Sequence, residues 1–241
     1  MKRIGILAHS AEGAALCFLE AVHEGERRQG AHFHPDIVMD IEAMGASMAD
    51  WEKHDFAPIA ARFARAAARL KAAGADFWIC PDNTAHMAFE AMDAPLPLPG
   101  LHIAQIVAAE AARRGFRKIG ITGTLWTMEG PVYPAAFTRR DLSFATPPRA
   151  EREAVQAIIF GELVRGIVSL TSRAKLAAVV EGLKGQGCDA VVLGCTELPM
   201  LLDDSTSPLP TLDSTRLLAR AAVGVALGTS PLPSWFGGAL C

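Results

Sequence analysis

Residues 185–199 read GQGCDAVVLGCTELP. The largely apolar run DAVVLGC, 189–195, is too short for a helix. It therefore reads as a strand buried on both faces, the pattern of a parallel sheet covered by helices. A helical pattern over 172–186 precedes it and stops at Gly187, and a turn of Cys195, Thr196 and Glu197 follows. That turn lies at the carboxyl end of the strand, where open α/β sheets bind their ligands. Residues 71–86, KAAGADFWICPDNTAH, repeat the order of helix, glycine, small residue, aspartate, strand and threonine-containing turn. Setting AGADFWICPDNT on QGCDAVVLGCTE places Cys80-Pro81-Asp82-Asn83-Thr84 beside Leu193-Gly194-Cys195-Thr196. Two similar half-chains are the consequence.

Working outward, short apolar runs at 3–7, 36–41, 76–81 and 118–123 alternate with helical patterns at 11–29, 55–73, 84–92, 102–114, 152–167 and 172–186. This alternation predicts an α/β fold with parallel sheets. In the helix over 55–73, Ile59, Phe63 and Leu70 share one face, and Arg62, Arg65 and Arg69 fall on a face expected to be solvated. The proline-rich APLPLPG at 94–100 marks a crossing between lobes, and DDSTSPLP at 203–210 marks the return, so that a last helix near 214–227 packs on the first lobe. The expected division is a first lobe of 1–98 with 211–227, a second of 99–210, and an extended arm of 228–241. The arm reads either as disordered or, through Trp235 and Phe236, as a segment that docks on a partner subunit.

The chain has 241 residues, 51% apolar and 20% charged, enough to bury one large core or two modest ones. A net charge of -3 with interspersed signs supplies no basic stripe, which argues against nucleic acid as a partner. No apolar segment approaches the roughly 20 residues that span a bilayer, and Glu12 interrupts the start before a signal region could form. A cytoplasmic location without membrane association is expected. The cysteines at 17, 80, 188, 195 and 241 are odd in number and show no C-x-x-C spacing, so they read as free thiols. His32 and His34, near Asp36, lie in a loop with no second cluster, and no metal site is expected.

A thiol at Cys195, beside the start of a turn or helix, stands in the environment of a nucleophile or proton acceptor. The alternative is a small buried cysteine packed under a turn, the reading preferred for Cys188. GADFWICPDNTAH, GITGTLWT, GCDAVVLGCTELP and LDSTRLLA, in that order, resemble the aspartate/glutamate racemase family through most of the chain to about residue 227. The resemblance implies two pseudo-symmetric, doubly wound parallel-sheet domains with the active site in the cleft between them. It further implies a small carboxylate substrate and no pyridoxal or other cofactor. Two cysteines on opposite faces of the substrate's α-carbon are implied as well, and a homodimer is an ordinary assembly for the family.

Inverting a stereocentre through a planar carbanion requires a base on one face and an acid on the other. Thiols suit both roles because their reference pKa, ~8.5, keeps both protonation states accessible near neutrality. Main-chain N–H groups and hydroxyls would hold the carboxylate and the developing enediolate; Asn83, Thr84, Thr124, Thr196 and Ser10 occupy the matching turns. The chain departs from the family at the first thiol, because the common CNTAH becomes Asp82-Asn83-Thr84-Ala85-His86. A reference aspartate is a weaker base than a thiolate by ~4.6 pK units, or roughly 6 kcal/mol. Burial beside another anion is expected to narrow that gap by raising the Asp82 pKa. Cys80, deeper in the sheet, reads as core. The first turn, AHSAEG, lacks the usual glycines, and Leu218 replaces a histidine common in the family. His86 either orients a carboxylate or caps a helix, and Tyr133 lies in a loop, EGPVYPAAF, that could bring its hydroxyl over the cleft.

The leading expectation is a cofactor-independent racemase or epimerase of an amino-acid-like carboxylate, with Cys195 on one face and Asp82 on the other. One-sided chemistry is the alternative: decarboxylation of a malonate-type acid, or cis–trans isomerisation of an unsaturated diacid. A carboxylate-binding protein without chemistry is the third.

Overall fold

The computed structural model of the chain describes residues 1–235, and the α/β alternation appears there as two units, each built on a four-stranded parallel sheet. One unit is Met1–Ile103 together with the chain from Thr215, and the other is Ala104–Ser214. The first contains β1 (Ile4–Ala8), α1 (Ala11–Gln29), β2 (Ile37–Ile41), α2 (Met48–Glu52), α3 (Phe56–Ala72), β3 (Phe77–Ile79), α4 (Ala85–Glu90) and β4 (Gly100–Leu101). The chain continues through α5 (Ile103–Arg113), β5 (Lys118–Gly123), α6 (Leu125–Glu129), α7 (Val132–Thr138), β6 (Ser143–Ala145), α8 (Arg149–Gly161), α9 (Leu170–Gly185), β7 (Ala190–Gly194) and β8 (Thr211–Asp213). It returns to the first unit through α10 (Ser214–Ala226). Strand order is β2-β1-β3-β4 in one sheet and β6-β5-β7-β8 in the other, so the two sheets share one topology.

The sequence repeat has an atomic basis. Gly74 and Gly187, following α3 and α9, both adopt a φ of 86°, a left-handed conformation that lets a helix end without a Cβ clash. Two residues later, Asp76 Oδ2 accepts from the Arg3 amide at 2.6 Å, and Asp189 Oδ2 accepts from the Arg117 amide at 2.7 Å. The amide of each aspartate donates back, Asp76 to Arg3 O at 3.0 Å and Asp189 to Lys118 O at 2.9 Å. Each aspartate thus pins the start of its unit's first strand against the third.

The core of the first unit gathers Leu7, Ile59, Phe63, Leu70, Trp78 and Phe89, side chains whose burial each stabilises by about 1.5–3 kcal/mol. In the second, Ile119, Ile121, Val191 and Val192 of the sheet are buried, as are Leu176 and Leu183 of α9. The arginine face of α3 is more than solvated. Arg69 donates to both carboxylate oxygens of Asp40 at 2.6 Å and to Glu42 at 2.7 Å, tying α3 to β2 and the turn after it.

Several elements exceed what the sequence predicts. β4, β6 and β8 are two or three residues long, too short to show a period. α7 contains Pro134 in its first turn, where a missing N–H costs nothing, so VYPAAF is helical where a loop was expected. Because β4 pairs with β3 and β8 with β7, the units divide a few residues beyond the boundaries expected from the prolines. α10 packs in the first unit, with Arg220 Nε donating to Glu20 Oε1 at 2.8 Å.

Trp235 packs on its own chain and is half-buried there. Its carbonyl accepts from the Gly100 amide at 2.8 Å, and its indole stacks on His86, with ring planes 7° apart. Phe236 lies outside the described residues. Among those residues, no helix is long and apolar enough to cross a membrane, and no three His, Cys, Asp or Glu side chains gather as a metal site.

Candidate active site

In the first unit, β1 and β3 are neighbours, so the turns after Ala8 and Ile79 lie side by side at the carboxyl end of the sheet. Asp82 stands in the second of these turns, its side chain 16% exposed. Its Oδ2 accepts from His9 Nδ1–H at 2.6 Å, and its Oδ1 accepts from the Ala85 amide at 3.2 Å, capping α4. The donor role of His9 Nδ1 follows from its other nitrogen, because Trp51 Nε1–H donates to His9 Nε2 at 3.1 Å. Burial pushes the Asp82 carboxyl up, but His9, the Ala85 amide and His86 together hold it below the usual carboxylate range. The expected upward shift is therefore reversed, since the close neighbour is an imidazole donor and not a second anion.

Cys80 is fully buried in the core, where desolvation and then the charge of Asp82 push its thiol well up. His86 is also fully buried. Its Nδ1–H donates to the Asp82 carbonyl at 2.8 Å, and its Nε2 accepts from the Ile103 amide at 3.1 Å. Burial, and secondarily His102, pushes it down to about 3, so it remains neutral. His86 thus braces the main chain beneath Asp82 and makes no bond to its carboxylate. Asn83 is buried beside it, Thr84 is half-buried at the start of α4, and Ser10 is half-buried ahead of α1.

The second unit builds its corresponding turn around Cys195. Gly194 pairs with Gly123 across β7 and β5. A Cβ at Gly194 would lie 2.7 Å from Thr122 O and 2.9 Å from Thr127 Cγ2, so only glycine permits this approach of the strands. Cys195 is half-buried, and its thiol donates to Glu197 Oε2 at 2.9 Å. Glu197 itself is 6% exposed. Thr124 caps α6 by accepting from the Thr127 amide at 3.3 Å, and its hydroxyl lies 3.1 Å from that of Thr127. Thr196 is half-buried next to Cys195. Tyr133 is fully buried in α7, with its hydroxyl bonded to Ser214 and its pKa pushed up by burial, an interior position unlike the one expected from a loop.

Five side chains in contact around these two turns were not among the candidates picked from the sequence: His9, Ser47, Trp51, Thr127 and Glu197. The repeat held the signal for His9. Ile4 pairs with Phe77, and Ile119 pairs with Ala190. Superposing those pairs sets Asp82 on Cys195, and it sets His9, not Ser10, on Thr124.

A duplicated, doubly wound α/β chain carrying one ionisable side chain at the matching strand end of each unit defines the class of this protein. Within that class, the chain belongs to the Asp/Glu/Hydantoin racemase family, whose model matches residues 11–222. It is 26% identical over 164 residues to the broad specificity amino-acid racemase RacX of Bacillus subtilis (strain 168), covering 67% of this chain and 69% of that one. It is 29% identical over 159 residues to the glutamate racemase of Pseudomonas entomophila (strain L48), a match spanning 63% of this chain and 58% of the relative. Among solved structures, a candidate Asp/Glu racemase from Yersinia pestis is similar with a TM-score of 0.87 and 31% identity, over 94% of this chain and 100% of that one. An aspartate racemase homologue from Pyrococcus horikoshii OT3 follows with a TM-score of 0.78 and 25% identity, over the same shares. The family is enzymatic and these curated relatives are isomerases, which places the chain among enzymes of that kind.

Proposed function

We propose that the chain racemises or epimerises an amino-acid-like carboxylate without a cofactor, with Asp82 and Cys195 as the two groups that exchange a proton with its α-carbon. The observation that supports this most is their equivalence: each follows the same strand of a duplicated unit, and each is bonded to an ionisable partner, His9 or Glu197. For one enantiomer, the Asp82 carboxylate takes the α-proton, the electron pair stays on carbon, and the Cys195 thiol delivers a proton to the other face. The opposite enantiomer runs these steps in reverse. Asn83, Thr84, Thr196 and Ser10 are the proposed donors to the substrate carboxylate, and Thr124 acts through the turn it caps. Single enantiomers incubated in deuterated water test the reading. Inverted product carrying deuterium at the α-carbon supports it, whereas neither inversion nor exchange across a broad panel of amino acids refutes it.

A second reading draws on the downward shift of Asp82, which makes it a weak base for a carbon acid. In that reading, Cys195 alone protonates a carbanion left by decarboxylation of a malonate-type acid. Carbon dioxide release that is abolished by Cys195→Ser would select it over racemisation.

A further inference from the structure

We infer that His9 is the positioning residue of Asp82, donating through Nδ1 so that the carboxylate stays in its base form and in one orientation. The inference rests on the proposed role of Asp82 as a proton acceptor. Three features of the first unit carry it. The Nδ1–Oδ2 distance of 2.6 Å is that of a charge-assisted hydrogen bond. The ring is 8% exposed and held edge-on between Trp51 and Phe63, each with its centroid 5.6 Å away. The Trp51 indole N–H at 3.1 Å engages the Nε2 lone pair, which fixes the tautomer that donates to Asp82.

Ser47 completes the arrangement. Its single hydroxyl hydrogen is shared between two acceptors, Met44 O at 2.9 Å and His9 Nε2 at 3.3 Å, so the second contact is a hydrogen bond when the hydroxyl turns to the ring. Beyond the ring is a small cavity whose lining includes Glu42, Met44 and Arg62. The titratable groups around Asp82 are thus His9 from the turn after β1, His86 of α4 and Cys80 at the end of β3, with Glu42 and Arg62 across the cavity from the imidazole. His86 is engaged at both nitrogens by main-chain groups, whereas His9 is bonded to the carboxylate itself. When Asp82 accepts the α-proton, a C–H bond breaks and an O–H bond forms on the carboxyl group. The His9 proton remains on Nδ1, so no second transfer is needed.

The test uses the full chain with wild type, His9→Asn, His9→Leu and Trp51→Phe. Asparagine keeps an N–H donor near the Nδ1 position, and leucine removes it. Aspartate labelled with carbon-13 at the side-chain carboxyl, with the Asp82 signal assigned by Asp82→Asn, reports its titration directly. In His9→Leu the midpoint rises by at least about one pH unit, equivalent to ~10-fold in the ionised-to-neutral ratio, and His9→Asn restores most of the difference. The acid limb of kcat/KM for α-proton exchange moves up in parallel. An Asp82 midpoint unchanged in both His9 variants overturns the inference, as does an acid limb that stays fixed while the midpoint moves. Should His9→Leu fail to fold, Trp51→Phe carries the same comparison, because loss of the indole donor frees the tautomer, weakens the mean donation to the carboxylate and raises the Asp82 midpoint; an unchanged midpoint there counts against the inference. Absence of all exchange in the wild type, with the His9-dependent titration intact, sinks the proposed reaction while leaving the His9–Asp82 pairing standing.

Discussion

Gly194→Ala is the substitution that most directly probes how the Cys195 turn is held. The added methyl would lie 2.7 Å from Thr122 O and 2.9 Å from Thr127 Cγ2, and the first of these is main chain in the middle of a sheet. Thr127 can rotate, but Thr122 O cannot retreat without breaking the pairing of β5 with β7. Overpacking of this kind costs about 1–3 kcal/mol. For a chain of this size, that corresponds to a fall in melting temperature of roughly 2–12 °C, at ~2–4 °C per kcal/mol. The strain is relieved most readily by lifting the turn, so Cys195 shifts from Glu197 and kcat falls along with stability. Gly185→Ala is the control: nothing lies within 4 Å of its added Cβ, it ends α9, and a gain of roughly 0.5–1 kcal/mol is expected. Urea unfolding of both variants, followed by circular dichroism, makes the comparison. A Gly194→Ala protein as stable as wild type would refute the argument from close approach.

Acid sensitivity should trace to His86. Its folded-state pKa of about 3 lies below the unfolded value, ~6.5, so its contribution is complete above ~6.5 and is lost as pH falls towards the folded value, at up to about 1.4 kcal/mol per pH unit. Urea midpoints of wild type should fall across that window more steeply than those of His86→Gln; equal slopes would exclude His86 as the source. Asp82, depressed as well, adds a further loss as pH falls below the ordinary carboxylate value, ~3.9, and Asp82→Asn should remove it. Trp235→Ala should destabilise the first unit by about 1–2 kcal/mol, as expected for a half-buried indole in an aromatic cluster, and an unchanged unfolding midpoint would mean that the arm contributes no packing. Among the cysteines of the described residues, iodoacetamide should reach Cys195 before Cys17, Cys80 and Cys188, which are 0%, 0% and 5% exposed; comparable labelling of Cys80 in the folded chain would contradict the core placement.

Much of this fold was legible because its long strands and helices carry their periods in full. The Gly-x-Asp steps at 74–76 and 187–189 announced the duplication, and their geometry explains why the residues recur. The short edge strands were not legible, since two or three residues cannot display an alternation. α7 was hidden by prolines that a first helical turn tolerates. Asp82 and Cys195, the pair proposed to act, stood out in the sequence because the repeat sets one on the other and Cys195 lies in the segment that most resembles the family. His9, Ser47 and Trp51 were missed for a different reason: their meaning arises from contacts across 38 or more residues of chain. The sign of the Asp82 shift was lost with them. A carboxyl in an apolar turn reads as raised until the imidazole behind it is known.

The central claim is that Asp82 and Cys195 each exchange a proton with the same α-carbon. The decisive measurement is α-proton exchange of each pure enantiomer in deuterated water, followed by proton NMR, for Cys195→Ser and Asp82→Asn. The account predicts a split. Each variant loses inversion but still exchanges the enantiomer that presents its α-hydrogen to the surviving group, and the two variants retain opposite enantiomers. Retention of full inversion by either variant, or loss of exchange for the same enantiomer in both, would contradict it.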